Sequence, residues 1–123
     1  MKMTKLPSMT VDQLVAHFVE IGEQQDQALL LDEIANFNRL YKQKAAVVSE
    51  LKSREGDQRR ALLRLYDHPN MQVRINAAKA TLAIAPTIGR QVLEAICASQ
   101  HPPQDLEAGM TLFNLDEGIF KPT

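Results

Sequence analysis

Tryptophan is absent, cysteine occurs once, at Cys97, and histidine three times, at His17, His68 and His101. A single thiol excludes an internal disulfide and a cysteine zinc cluster, and the histidines lack the i, i+4 spacing by which one helix grips a metal. No apolar run approaches the roughly eighteen residues of a membrane span, and Met1 to Met9 has no apolar core of the kind a signal peptide needs. A cytoplasmic chain with no membrane association is the expectation. The five glycines are scattered as punctuation, so there is no Gly-rich phosphate loop. A serine nucleophile elbow and a pair of catalytic carboxylates with a supporting base are also missing. No cofactor is expected, and the chain is not expected to be an enzyme.

What is present is enough apolar material for a core: 45% of 123 residues. A single helical-repeat domain over residues 10–123 follows, behind a flexible arm at 1–9. The net charge of −1 hides a segregation. Residues 11–37 carry six acids and no Lys or Arg, whereas 39–64 carry eight bases against Glu50, Glu55 and Asp57.

The organising stretch is His68 to Pro86. Asn70 is a good N-cap and Pro86 cannot continue a helix, so a helix is predicted over about 70–85. Its apolar positions occupy two faces and leave Gln72, Asn76 and Lys79 as a thin polar stripe, which predicts a rod covered on two sides. Ahead of it, a capping box at Thr10 and Gln13 opens a helix to about 29. Asp32 is expected to cap a second helix to about 54, folding back on the first as a hairpin. Asp57 should open a third, with Ala61, Leu62, Leu65 and Tyr66 facing inward. Beyond the central rod, a fifth helix starts at Pro86. A sixth, over about 104–117, carries Leu106, Met110, Phe113 and Leu115, with Gly118 ending it and Ile119 folding back near Phe113.

His101-Pro102-Pro103 repeats His68-Pro69-Asn70 at a spacing of 33, and Asn70, Val73, Arg74, Ala77, Ala78 and Leu82 resemble the second helix of a HEAT or armadillo-type repeat. The fold expected is all-α, a short HEAT/armadillo-like α-α superhelix of about six helices with an N-terminal helical hairpin. Taken whole, the blocks Thr10 to Val15, Ile34 to Tyr41, Gly56 to Leu63, the central helix and Leu115 to Phe120 resemble an uncharacterised bacterial family, domain of unknown function 2019. That resemblance implies a HEAT-like helical fold and supplies no activity.

Two surfaces are candidates for binding a partner. One is the stripe Gln72, Asn76 and Lys79, read as the lining of a groove. The other is the basic set Arg54, Arg59, Arg60 and Arg64, read as an acceptor for an acidic protein, against the plainer alternative of a solvated face. Nucleic acid ranks lower, because the chain is not basic overall and offers only Tyr41 and Tyr66 near the cluster for stacking. Glu94, Cys97 and His101 share one side of a helix at i, i+3 and i+7, but successive turns of one rod make a poor attack geometry. Cys97 is therefore read as a core residue. Arg74 and Glu107 stand 33 apart and are expected to pair. The function expected is non-catalytic protein binding by an adaptor or inhibitor that is a monomer or weak homodimer. The alternatives are a small nucleic-acid-binding repeat protein and a thiol-dependent enzyme.

Overall fold

A computed structural model describes residues 5–123, and among them every regular element is helical. Five α-helices, α1 (Val11–Leu30), α2 (Ile34–Ser53), α3 (Met71–Thr81), α4 (Pro86–Ala98) and α5 (Gln104–Asp116), are accompanied by two 3₁₀ segments, Leu6–Ser8 and Gln58–Leu65. The chain divides into two compact units, one ending at Ala61 and the other running Leu62–Thr123.

In the first unit α1 packs on α2. The capping box forms as expected: the Thr10 amide donates to Gln13 Oε1 at 2.8 Å and the Gln13 amide to Thr10 Oγ1 at 3.1 Å. Leu14, Phe18, Ile21 and Ala28 follow at i, i+4, i+7 and i+14, and all are buried, as are Leu40, Val47 and Leu51 of α2. Each large side chain so buried contributes roughly 1.5–3 kcal/mol.

Asp32 does something other than expected. It adopts φ +57°, and its amide bonds Leu29 O while that of Glu33 bonds Ala28 O. This is the left-handed ending of α1, which a short polar side chain tolerates, so Asp32 closes one helix instead of capping the next. The N-cap of α2 is Glu33, without a side-chain bond. The arm expected at residues 1–9 lies outside the described residues as far as 4. Beyond that, Leu6 O and Met9 O accept from Arg54 Nη2 at 3.1 and 2.8 Å, fastening the 3₁₀ turn to the end of α2.

The third predicted helix is a 3₁₀ segment. Arg59, Leu62 and Leu65 are buried at a spacing of three, which a helix with three residues per turn stacks on one side. Ala61 is buried and Tyr66 half-buried, as anticipated.

In the second unit α3 touches both α4 and α5, and α4 packs on α5. Ile75, Ala78, Leu82, Leu93, Ile96 and Ala108 form its core. Gly89 permits the close approach of α4 to α3: a Cβ there would stand 3.1 Å from Leu82 Cδ2 and 3.4 Å from Ala78 O. Asn70 Oδ1 caps α3 by accepting from the Gln72 and Val73 amides at 2.9 and 3.1 Å. The helix stops at Thr81, four residues short of expectation, and the chain turns through Leu82 to Ile84. Pro86 forces Ala85 out of the helical region, to φ −142° and ψ 64°, so the rod tightens and ends before it. At the far end, Gly118 has φ +73° and the Ile119 amide reaches back to Asn114 O, completing a glycine-closed C-terminus for α5. Phe120, not Ile119, packs on the core, and Ile119 is exposed.

Candidate protein-docking surfaces

The polar stripe of the central helix does not line a groove. Gln72 and Asn76 are 2% and 1% exposed, and they are bonded to each other and to α5. Gln72 Nε2 donates to Asn76 Oδ1 at 3.0 Å, and Gln104 Nε2 donates to Gln72 Oε1 at 2.8 Å. The reason is the girth of contact: α3 is buried at Gln72, Val73, Ile75, Asn76, Ala77, Ala78 and Thr81, so the polar residues are enclosed with the apolar ones and must satisfy one another. Thr81 Oγ1 donates to Ala77 O at 2.8 Å and bonds the Tyr66 hydroxyl. Burial raises the pKa of that phenol, partly offset by the Thr81 bond. Lys79 alone of the stripe reaches solvent, and its Nζ lies 3.1 Å from Glu107 Oε2. Glu107 thus pairs with Lys79 and not with Arg74, whose Nε donates to His68 O.

Three of the four residues of the basic set, Arg54, Arg59 and Arg60, are hydrogen-bonded inside the first unit. Arg54 Nε bonds Glu50 Oε2 at 2.7 Å while its Nη2 holds Leu6 O and Met9 O. Arg59 is buried, and its Nε and Nη2 grip the two oxygens of Asp57 at 2.9 and 2.7 Å. That bidentate bond holds the Asp57 carboxyl below its ordinary pKa, against the smaller opposing effect of desolvation, and raises that of Arg59. Arg60 is exposed and donates to Gly56 O at 2.9 Å, and Arg64 is exposed on the same segment. Of the stacking candidates, Tyr41 is exposed with Lys44 Nζ 4.4 Å from its ring centre, and Tyr66 packs against the core.

Cys97 is exposed, contrary to its reading as a core residue, because it lies on the flank where α4 meets Gly109 of α5: a Cβ at Gly109 would stand 3.4 Å from Cys97 Sγ. Glu94 is drawn to Arg90, which also holds Asp116 at 2.9 Å. His101 lies past the end of α4 and is exposed. Among the described residues no three His, Cys, Asp or Glu side chains come together as metal ligands, and no helix is long and apolar enough to cross a membrane.

Two surfaces emerge that the patterning did not single out. Along α1 and the start of α2 runs an open groove of about 510 Å³, lined by Glu20, Glu23, Gln27, Glu33 and Arg39 among others. Glu20, Glu23 and Gln27 recur at i, i+3 and i+7 on one face of α1, and the chain continues from them into the exposed Leu30, Leu31 and Ile34. The second is the outer side of α5, where Leu106, Met110 and Phe113 are 70%, 63% and 59% exposed. The sequence signal for the first was there: four acids without a base, Asp12, Glu20, Glu23 and Asp26, then Leu29-Leu30-Leu31 at a turn and two more acids, Asp32 and Glu33.

These features define an all-helical, two-unit protein whose distinctive surfaces are open and shallow. The chain belongs to the family described as Domain of unknown function (DUF2019), whose profile matches residues 12–116. It is similar to the protein RPA1889 from Rhodopseudomonas palustris CGA009, known from a crystal structure, with 51% identity over 98% of this chain and 100% of that one and a TM-score of 0.95. Comparison with curated proteins returns no match.

Proposed function

We propose that this protein is a non-catalytic, cytoplasmic protein-recognition module, an adaptor or inhibitor, that captures a basic amphipathic segment of another protein in the groove of its first unit. The observation that carries this reading is the junction of a net-acidic trough, where Glu20, Glu23 and Glu33 outnumber Arg39, with exposed leucines at the α1–α2 turn. Carboxylates along one wall give orientation and on-rate toward a cationic segment, and apolar anchors at one end give it something to bury. The stacking of α3 on α4 and α5 supports a HEAT-like reading of the second unit.

The reading is tested with a fluorescent helical peptide of lysine and leucine, leucines at i, i+3 and i+4, titrated with the full chain at low and high salt. Binding should weaken as salt rises. It should also fall about tenfold in the E20Q/E23Q/E33Q variant and again in L30Q/L31Q. Equal binding of a glutamate-for-lysine peptide, or wild-type affinity in the groove variants, overturns it.

A further inference from the structure

The helix α5 is apolar on opposite sides. Inward it presents Ala108 to the core, with Leu112 and Leu115 packed against that core. Outward it presents Leu106, Met110 and Phe113 at i, i+4 and i+7, within a sector of about 60°. A helix apolar all round is normally covered all round. Three large side chains exposed by more than half leave roughly 400 Å² of contiguous apolar surface, the size at which a patch on a monomer is usually in use.

We infer that the outer face of α5 is where a second copy of this chain docks, helix antiparallel to helix about a two-fold axis at Met110. Three observations choose that occupant. First, the stripe reads nearly the same in both directions: Leu106 stands four residues before Met110 and Phe113 three after. An antiparallel copy therefore sets Leu106 against Phe113 on both sides of the axis, as an isologous contact requires, and brings the methionine sulfurs near aromatic rings.

Second, the flanks of α5 carry charges already neutralised within the chain, Glu107 by Lys79 on one side and Asp116 by Arg90 on the other. Two identical faces can therefore meet with Asp105 as the flank carboxylate that has no cation beside it among the described residues, its Oδ1 accepting instead from the Leu106 amide at 2.8 Å. Third, Glu117 continues the stripe at i+11 from Leu106 and is exposed. Antiparallel docking carries it toward the start of the partner helix, where His101 is exposed and Pro103 leaves the N-cap without a side-chain bond. Parallel docking would put Glu117 beside its own copy. Two such faces and their rims bury on the order of 1,000 Å², the low end for a specific interface, so the dimer forms and dissociates in the micromolar range.

Sedimentation of the full chain across the micromolar range tests this. The wild type should pass from monomer to dimer with concentration, and M110E should stay monomeric with at least about a tenfold loss of affinity. F113Q is the second variant, and the melting temperature of each establishes that it is folded. A cysteine placed on the axis, in C97S/M110C, should oxidise to a covalent dimer, whereas C97S/Q91C on α4 should not. E20Q/E23Q should sediment as wild type, since the groove plays no part in this contact. A wild type that stays monomeric throughout, or a dimer that survives both M110E and F113Q, overturns the inference.

Discussion

Helices α3 and α5 lie in contact in the second unit, carry similar proportions of apolar side chains, and treat them in opposite ways. In α3 even Gln72 and Asn76 are enclosed, whereas α5 buries Gln104, Ala108 and Thr111 and turns Leu106, Met110 and Phe113 to water. The difference teaches that hydropathy at single positions decides less than what a side chain can bond to. Gln72 and Gln104 meet across the two helices at 2.8 Å, and that bond sets α5's rotation about its own axis. Once Gln104 faces α3, the residues half a turn away face out. Ala108, on the Gln104 side, lets the two backbones come close.

The sharpest way to break the comparison is Gln72→Ala. It removes both amide bonds, each worth roughly 1–3 kcal/mol when buried, so chemical denaturation should show a loss of about 3 kcal/mol. The triple substitution to leucine at 72, 76 and 104 should recover part of that loss, because the amide-to-amide bonds are replaced by apolar contact. If the single change costs under about 1 kcal/mol, the network does not orient α5.

Next in size is Thr81→Val, which leaves the Tyr66 hydroxyl without its acceptor. Denaturation should reveal a loss of about 1–2 kcal/mol, and Tyr66→Phe in that background should restore part of it.

The buried polar groups of α3 are amides and hydroxyls that do not titrate, whereas the first unit relies on an ionised pair. Asp57 is held below its ordinary value of 3.8 by Arg59. Its contribution is therefore complete above about pH 3.8 and is lost as pH falls through the lower folded value. Asp57→Asn should cost about 1–2 kcal/mol near neutral pH and flatten that part of the acid limb of the stability curve. An acid limb unchanged by the substitution would deny the pair any part in stability.

Smaller still is the bridge from Lys79 to Glu107. With both side chains about one-third exposed, at 32% and 37%, a double-mutant cycle should give a coupling of at most about 1 kcal/mol, shrinking in salt. The least effect on stability belongs to Leu106→Gln, within about 0.5 kcal/mol, since the residue faces water. The same substitution should weaken self-association clearly, and separation of those two readouts distinguishes an interface residue from a core one.

Much of the architecture was legible along the chain. The Thr10–Gln13 box, the Asn70 cap, Pro86 at the start of α4 and Gly118 past the end of α5 are local devices whose partners lie within a few residues, so the sequence displays both halves of each. The candidate surfaces were less legible. Arg54 looked free because its acceptors, Leu6 O and Met9 O, lie more than forty positions away. An α-helical period leaves Arg59 on the outside, whereas the segment is a 3₁₀ helix and Arg59 is buried in it.

By itself, then, the order of residues determined an all-helical chain, the positions of its stops, and an acidic first helix followed by a basic stretch, because caps, breakers and net charge act over a turn or two. Tertiary structure alone decided which sides of those helices are wet. Rotation about a helix axis is set by the contacts a rod makes with its neighbours, and the amide bond from Gln104 to Gln72 joins residues 32 positions apart. That rotation enclosed the polar stripe of α3, and it left Leu106, Met110 and Phe113 open.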